Sequence, residues 1–243
     1  MRWLLLRGLG REIGHWGRFR QCLEQLGEQL EFLDLPGAGT ERARKVPLSI
    51  RQMVEDLRAR RGANEPTGLI AVSLGGMIAL DWPVRYPAEI LRLVIINSST
   101  SSVAWPWERL SPASLATSLC FLLTREDERK ETMTLRLTTN LRARALEARA
   151  REWAQVRHMR PVRAASVFRQ LIAAARFRLE SLPSCPILVV RSLGDRLVDP
   201  ICSERLAKRL GAELLTHPSG GHDLSTDEPD WLAEKIVSWG AAR

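Results

Sequence analysis

Short apolar runs alternate along the chain with longer stretches in which apolar residues recur every three or four positions. The short runs predict six strands, at residues 3–7, 30–35, 69–72, 91–97, 187–190 and 213–215. The periodic stretches predict helices between them, with apolar stripes at 16–30 and 50–57 and helices over 74–86, 202–210 and 230–239. Strands that alternate with helices are typical of a parallel sheet covered on both faces. The pattern therefore predicts an α/β fold with a doubly wound, mostly parallel sheet of about six strands.

No strand is convincing between residues 98 and 182, where apolar residues lie among arginines at helical intervals. We expect this segment to be a helical insertion, and Pro183 and Pro186 mark its end before the sheet resumes. Trp105 and Trp107, near its start, are expected to anchor its core. With 243 residues, 45% of them hydrophobic, the chain fits a single domain, residues 1–243, with an insertion at about 98–182.

The same segment carries the excess of positive charge. The whole chain has a net charge of +8 and a pI of about 10.1. Residues 125–178 hold thirteen arginines and Lys130 against six acidic residues, which is again +8, so the remainder is neutral overall. Such a surface suits an acidic protein or nucleic acid as a partner. A GC-rich genome would produce the same arginine bias without any function.

Nothing in the sequence indicates a membrane span. No apolar run reaches the roughly 18 residues that a spanning helix needs, and the first one is too short for a secretory signal. The four cysteines lie far apart and lack zinc or redox spacing: Cys22, Cys120, Cys185 and Cys202. We expect reduced thiols and a cytoplasmic location, while the even count leaves disulfides open.

Neither of two glycine-rich turns has the spacing of a dinucleotide-binding loop. Residues 8–14 are one residue too long for G-x-G-x-x-G, and residues 37–39 lack the third glycine. Histidines and carboxylates are not clustered at metal-ligand spacing. The sequence therefore predicts no cofactor and no metal.

The strand at 69–72 runs directly into Ser73, which paired glycines and an apolar helix follow. Residues 71–75, Ala-Val-Ser-Leu-Gly, match G-x-S-x-G with alanine as the first small residue. This nucleophile elbow exposes a serine hydroxyl on a tight strand-to-helix turn, where small neighbours let the backbone bend. Ser73 is therefore a candidate nucleophile, and capping the next helix is the alternative role.

A serine nucleophile needs a base to take its proton and an acid to orient that base. Asp195 follows the strand at 187–190, and His222 follows the last strand. Both residues lie, like Ser73, at carboxyl ends of strands, where ligands bind in open parallel sheets. The chain order Ser, Asp, His is the order of α/β-hydrolases.

Each of the two partners has rivals in the sequence. Asp199 lies four residues beyond Asp195, and either aspartate is able to cap the following helix. His217 competes with His222, although the glycines at 220–221 give the second loop more freedom. Of the other histidines, His15 precedes the elbow and His158 lies in the insertion.

Four segments, at residues 7–10, 71–76, 194–198 and 220–222, resemble the α/β-hydrolase superfamily from the first strand through His222. Within it, the chain is similar to small carboxylesterases such as the pimeloyl-carrier-protein methyl ester esterases. The resemblance implies that Ser73 is the nucleophile, His222 the general base and Asp195 its orienting acid. It also implies an oxyanion hole formed by the backbone N–H groups of Leu9 and Leu74.

Two features depart from the family pattern. Arg7-Gly8 stands where the family usually has His-Gly, so the oxyanion loop lacks its usual histidine. The chain also starts at the strand that is usually third, so we expect a sheet shortened at its N-terminal edge.

Taken together, these residues favour a serine hydrolase of carboxylic esters or thioesters that works through an acyl-enzyme, with the insertion as a cap over its pocket. One alternative is a binding module on a hydrolase scaffold that uses the arginine-rich cap to bind an acidic protein or nucleic acid. Another is an acyltransferase or an esterase directed to a carrier protein. A small-molecule ester is the expected substrate, an acidic acyl-carrier protein is a possible partner, and nucleic acid is disfavoured.

Overall fold

The computed structural model describes residues 1–62 and 65–241, except for the side chains at 113, 115, 116, 118, 119 and 122. Six parallel strands form one sheet in the order β2-β1-β3-β4-β5-β6. Their bounds are β1 Arg2–Leu6, β2 Gln29–Phe32, β3 Thr67–Val72, β4 Ile90–Ile96, β5 Ile187–Ser192 and β6 Glu213–His217. The predicted doubly wound sheet of six strands is confirmed.

Helices cover both faces of this sheet. The helices outside the segment between β4 and β5 are α1 Gly17–Gln25, α2 Ile50–Arg61, α3 Leu74–Arg85, α9 Pro200–Leu210, α10 Leu224–Asp227 and α11 Pro229–Ala241. Apolar residues of α2, α3 and α9 pack on one face and those of α1 and α11 on the other. The central strand β3 is buried along its whole length, which explains why it is a continuous apolar run.

The largest difference from the predicted strand bounds is at the end of β2. The second strand ends at Phe32 instead of residue 35, because Asp34 turns the chain away from the sheet. Its carboxylate accepts backbone N–H bonds from Ile13 (2.8 Å) and Thr40 (2.8 Å). Helix α3 runs through Pro83, which lies in its last turn, and ends at Arg85.

Five helices lie between β4 and β5: α4 Pro106–Arg109, α5 Pro112–Leu123, α6 Asp127–Thr138, α7 Ala143–Met159 and α8 Ala164–Arg176. The described residues of 98–182 contain no strand, as predicted. Leu135, Leu146, Ala150 and Trp153 form a small core of their own. Helices α6 and α7 make most of this core, so the segment is partly self-supporting.

The expectation that Trp105 and Trp107 anchor that core is wrong. Their side chains are 61% and 60% exposed and stack on each other with ring centroids 5.3 Å apart. The short helix α4 contacts the rest of the protein through its polar residues instead. Glu108 pairs with Arg205 at 2.9 Å, and Arg109 donates to the carbonyl oxygen of Ala174 at 2.6 Å. Glu108 and Arg109 thus hold α4 against the protein, and both indole rings lie at the surface.

The helical segment contacts the loop that follows β1 through buried polar side chains. Glu131 of α6 is fully buried between Arg11 (2.6 Å) and Arg157 (2.5 Å). The Gln170 side chain of α8 accepts the N–H of Gly10 (2.9 Å) and donates to Pro36 O (3.0 Å). Charges and amides are buried in this way only when they are paired, so these bonds fix the segment over the carboxyl edge of the sheet.

Among the described residues, no helix is both long and apolar enough to cross a bilayer. All four cysteines are free thiols.

Candidate active site

Ser73 occupies the sharp turn between β3 and α3. Its backbone has φ +55° and ψ −116°, and Asn97 is the other non-glycine residue with positive φ among the residues described. This backbone region is unfavourable for a side chain, so the surrounding packing must hold it. The Ser73 side chain makes no capping hydrogen bond to α3, which removes the alternative role as an N-cap.

Glycines let the turn sit tightly against β1. A Cβ atom at Gly75 would lie 2.6 Å from the carbonyl oxygen of Leu6 and 2.8 Å from that of Arg7. One at Gly8 would lie 3.2 Å from the Cβ of Ser73. The start of α3 and the loop after β1 therefore approach each other as closely as backbones can, and Ser73 itself stays partly exposed beside them.

Asp195 and His222 are directly paired. The Nδ1 atom of His222 lies 2.7 Å from Oδ2 of Asp195, and both side chains are buried. The other carboxylate oxygen, Oδ1, accepts the backbone N–H groups of Leu197 (2.8 Å) and Val198 (3.0 Å). Asp195 is thus fixed from two sides. It orients the ring so that Nδ1 carries a proton and Nε2 is free to accept one.

The rival residues have other roles. Asp199 accepts the N–H of Ile201 at 2.9 Å and caps α9. His217 accepts the N–H of Gly220 at 2.8 Å and packs edge-on against Trp231, so it supports the loop that carries His222.

The two remaining histidines lie away from this loop. His15 is buried against the ring of Trp153, with centroids 4.9 Å apart. His158 is at the surface of α7, 3.6 Å from Asp127. Of the four histidines, His222 is therefore the one that pairs with an aspartate at the carboxyl edge of the sheet.

Asn97 joins the loop of His222 to the strand beside Ser73. Its amide group donates to the carbonyl oxygens of His222 (2.9 Å) and Gly221 (3.2 Å). The residue before it, Ile96, accepts the backbone N–H of Ser73 at 2.9 Å. Sequence reasoning missed Asn97, although a polar residue directly after an apolar strand was a usable signal.

The structure thus brings two of the three predicted groups into contact and places the third, Ser73, at the carboxyl end of β3, which β4 separates from β5. Among the hydrogen bonds of the described residues, none joins the Ser73 hydroxyl to the His222 ring. Hydrogen bonds of this kind are often long in a site without substrate and shorten when it binds.

The local charges favour a basic imidazole. Burial by itself would lower the pKa of His222, but the Asp195 carboxylate outweighs burial and raises that pKa above its ordinary value. Asp223 also raises it, whereas Arg7 acts in the opposite direction. A raised pKa strengthens His222 as a proton acceptor.

Two backbone N–H groups are candidates for an oxyanion hole. Leu74 is the first residue of α3, where helix N–H groups have no partner within the helix. Leu9 follows Gly8, whose space is limited by Ser73. The next N–H along, that of Gly10, already donates to Gln170. Gly10 is thus excluded as a donor, and Leu9 stays the candidate of this loop.

No group of three histidine, cysteine, aspartate or glutamate side chains within residues 1–62 and 65–241 is arranged to hold a metal ion. A cleft of about 540 Å³ lies between α2, α3 and residues 173–181. Its lining includes none of Ser73, Asp195 and His222, so it is separate from the candidate site.

A known protein is similar to part of the chain. It is a pimeloyl-[acyl-carrier protein] methyl ester esterase from Chromobacterium violaceum, and it is 33% identical over 97 residues. These residues make up 38% of this chain and 37% of that protein. The match thus spans just over a third of the length of that relative.

Solved structures share the fold over nearly the whole chain. A meta-cleavage product hydrolase from Pseudomonas fluorescens matches 100% of this chain and 92% of its own, with a TM-score of 0.78 and 17% identity. For a lipase-esterase related protein from Clostridium acetobutylicum, the match covers 98% of this chain and 93% of that protein, with a TM-score of 0.73 and 17% identity. At such identities the likeness shows the fold alone. The alpha/beta hydrolase family matches residues 3–235, and the chain therefore belongs to it.

Proposed function

We propose that this chain is a serine hydrolase that cleaves carboxylic esters or thioesters through a Ser73, His222 and Asp195 triad. The observation that carries the proposal is the buried bond between His222 and Asp195, beside the strained turn of Ser73. An aspartate-oriented imidazole and a partly exposed serine at the same edge of the sheet suit acyl transfer. The relative from Chromobacterium violaceum is named a methyl ester esterase, which agrees with this class of reaction.

In the first half of the reaction, Nε2 of His222 takes the proton of the Ser73 hydroxyl as its oxygen attacks the carbonyl carbon. Asp195 holds the Nδ1–H and stabilises the imidazolium that forms. The bond from the carbonyl carbon to the leaving oxygen or sulfur then breaks, and His222 gives its proton to the departing alcohol or thiol. In the second half, His222 activates a water molecule that releases the acid from Ser73.

The tetrahedral intermediate concentrates negative charge on one oxygen. We assign the backbone N–H groups of Leu9 and Leu74 to that oxygen. Leu74 follows Ser73 and adds the positive end of the α3 dipole, and Leu9 belongs to the loop after β1 that packs against the turn. A donor of this kind typically contributes about 10²–10³ in rate. The helical segment 98–182 would act as a cap over the pocket, and its buried bonds to the loop after β1 support this role.

Labelling with a serine-directed fluorophosphonate, followed by mapping of the adduct, tests the nucleophile and its activation together. We expect one adduct, on Ser73, and hydrolysis of p-nitrophenyl butyrate by the wild type. Ser73→Ala should lose both, whereas Ser49→Ala, at the exposed cap of α2, should keep both. An adduct elsewhere, or ester hydrolysis that persists in Ser73→Ala, would reject the proposal.

A second candidate is an esterase directed to esters carried by an acidic acyl-carrier protein. The arginines of residues 125–178 favour it, because nine of the thirteen are exposed: Arg125, Arg129, Arg136, Arg142, Arg144, Arg151, Arg163, Arg176 and Arg178. An acidic carrier protein would meet a surface of opposite charge. The name of the Chromobacterium violaceum relative points to the same class of substrate.

Charge reversal distinguishes this candidate from a hydrolase of free esters. In Arg142→Glu/Arg149→Glu, we expect kcat/KM for a carrier-bound ester to fall at least tenfold, with no change for the free ester. Arg42→Glu, an exposed arginine outside the helical segment, serves as the control. If both esters respond equally, or if salt leaves the carrier-bound reaction unchanged, carrier recognition by this surface is rejected.

A further inference from the structure

A buried ion pair links the two loops that the proposed reaction depends on. Arg7 and Asp223 are each 4% exposed. The guanidinium donates from Nη1 to Oδ1 of Asp223 (3.2 Å) and from Nη2 to Oδ2 (2.5 Å). Nη1 also donates to the hydroxyl of Ser225 at 2.8 Å, and that hydroxyl donates back to Asp223 Oδ1 at 2.6 Å. A bidentate pair of this geometry fixes orientation as well as distance.

The position of the two partners in the chain gives the pair its significance. Arg7 comes directly after β1 and two residues before Leu9, whose N–H we assign to the oxyanion hole. Asp223 comes directly after His222. The partners are 216 positions apart in sequence, so the pair directly joins two loops that only the tertiary structure brings together.

The guanidinium is held from its other side as well. It lies over the ring of Trp16, 4.7 Å from the centroid, and Trp16 is fully buried. Asp223 is anchored independently, because its backbone N–H donates to Thr138 O of α6 at 2.7 Å. The pair is therefore a rigid bridge between two fixed supports and not a mobile surface contact.

We infer that Arg7 and Asp223 are positioning residues of the proposed hydrolase, which hold the Leu9 N–H and the His222 ring in register for one carbonyl group. This inference rests on the proposed function. Neither residue is assigned contact with substrate or with the proton being transferred. A shift of about 1 Å in either loop would misalign base and oxyanion donor, which is enough to cost about 10²-fold in rate.

The two charges act on the imidazole with opposite sign. Asp223 raises the pKa of His222 and Arg7 lowers it, so the two partners of the pair act against each other on the ring. The other charged group facing His222 is Asp195, and Arg11 and Asp227 act on Asp223 or its neighbourhood. Removing one partner therefore leaves a charge beside His222, whereas removing both does not.

The pH dependence and kcat of variants therefore distinguish a positioning role from a purely structural one. In Asp223→Asn, Arg7 keeps its charge, so the acid limb of kcat/KM for p-nitrophenyl butyrate should move to lower pH. In Arg7→Met/Asp223→Asn, we expect the acid limb to move less than in Asp223→Asn, because the two effects on His222 oppose each other. In the double variant, kcat should fall at least tenfold while KM changes less than threefold, because the alignment of the reacting groups is lost and ground-state binding is kept.

The matched control is a similar pair far from the site. Arg61 is also buried and donates to both oxygens of Glu31 at 3.1 Å, on the outer edge strand of the sheet. Arg61→Met/Glu31→Gln should lower the melting temperature to a similar extent and leave kcat within twofold. Arg7→Lys keeps the charge but not the bidentate geometry. Its kcat should therefore lie between those of the wild type and of Arg7→Met/Asp223→Asn, and it should disturb folding least.

The inference is overturned if the folded double variant keeps kcat within twofold of the wild type, or if the control pair loses as much. It is also overturned if Asp223→Asn moves the acid limb to higher pH or leaves it in place. Failure of the proposed function looks different, because the wild type itself would then show no phosphonate adduct on Ser73. An adduct on Ser73 together with a fully active double variant rejects the positioning role alone.

Discussion

Asp195→Asn is the substitution for which the structure makes the sharpest prediction. Oδ1 of Asp195 accepts two backbone N–H groups, from Leu197 and Val198, and an asparagine oxygen can keep both bonds. The new amide NH₂ must then point at Nδ1 of His222, where the carboxylate oxygen was. Two donors would face each other, so the ring is expected to change tautomer and carry its proton on Nε2.

An imidazole protonated on Nε2 is unable to take the proton of Ser73. Where an orienting aspartate has been replaced in this way in a serine triad, kcat falls by about 10⁴. That factor corresponds to about 5 kcal/mol of lost transition-state stabilisation. Because the loop bonds of residue 195 survive, we expect the melting temperature to change by only a few degrees.

The assay is kcat for p-nitrophenyl butyrate, measured with thermal unfolding of the same sample. Asp199→Asn is the matched control, since it makes the same chemical change four residues away at the cap of α9. Asparagine caps helices as well as aspartate does, so this variant should keep both kcat and stability. A kcat above a tenth of the wild-type value in Asp195→Asn, or an equal loss in Asp199→Asn, would refute the reasoning.

The remaining predictions concern pH and packing. Since the pKa of His222 is raised above its ordinary value near 6.5, and the neutral ring is the base, kcat/KM should fall on acidification with an apparent pKa above 6.5; a midpoint below that value contradicts the assigned environment. Gly75→Ala should destabilise the fold by about 1–3 kcal/mol, because its Cβ would lie 2.6 Å from Leu6 O, whereas Gly240→Ala, with its nearest contact at 3.4 Å, should be tolerated in the same melting experiment. Burial tends to raise the pKa of Glu131, but two arginines outweigh it and lower that pKa, so the ion pair stabilises the protein above about pH 4.3 and is lost as the pH falls further. Glu131→Gln should therefore unfold more easily at pH 7, by about 3–5 kcal/mol, with a smaller dependence on pH between 5 and 3; equal pH profiles would contradict this.

The sequence by itself determined the sheet and the order of the candidate groups. Strands buried on both faces are mainly apolar, and the apolar runs of β3, β4 and β5 therefore stand out against the helices that separate them. In a parallel sheet every strand ends at the same edge, so residues that follow strands meet there whatever their distance in sequence. This is why Ser73, Asp195 and His222 were all recognisable as candidates.

Choosing between neighbouring residues required the tertiary structure. Asp195 and Asp199 follow the same strand, and the sequence favours Asp195 only through the family resemblance; in the structure Asp195 pairs with His222 and Asp199 caps α9. The reason is the direction of the chain: the loop is held by N–H bonds that turn the first aspartate toward the last strand, while the second lies where a helix begins.

Burial of charge and exposure of apolar groups were likewise decided only by the fold. The structure buries the charged residues Arg7 and Glu131, whereas it exposes Trp105 and Trp107, which the sequence analysis expects in a core. Each result depends on a partner distant in sequence. A charge is stable inside only where an opposite charge meets it, as Asp223 meets Arg7 across 216 positions, and hydrophobic periodicity contains no information about such pairs.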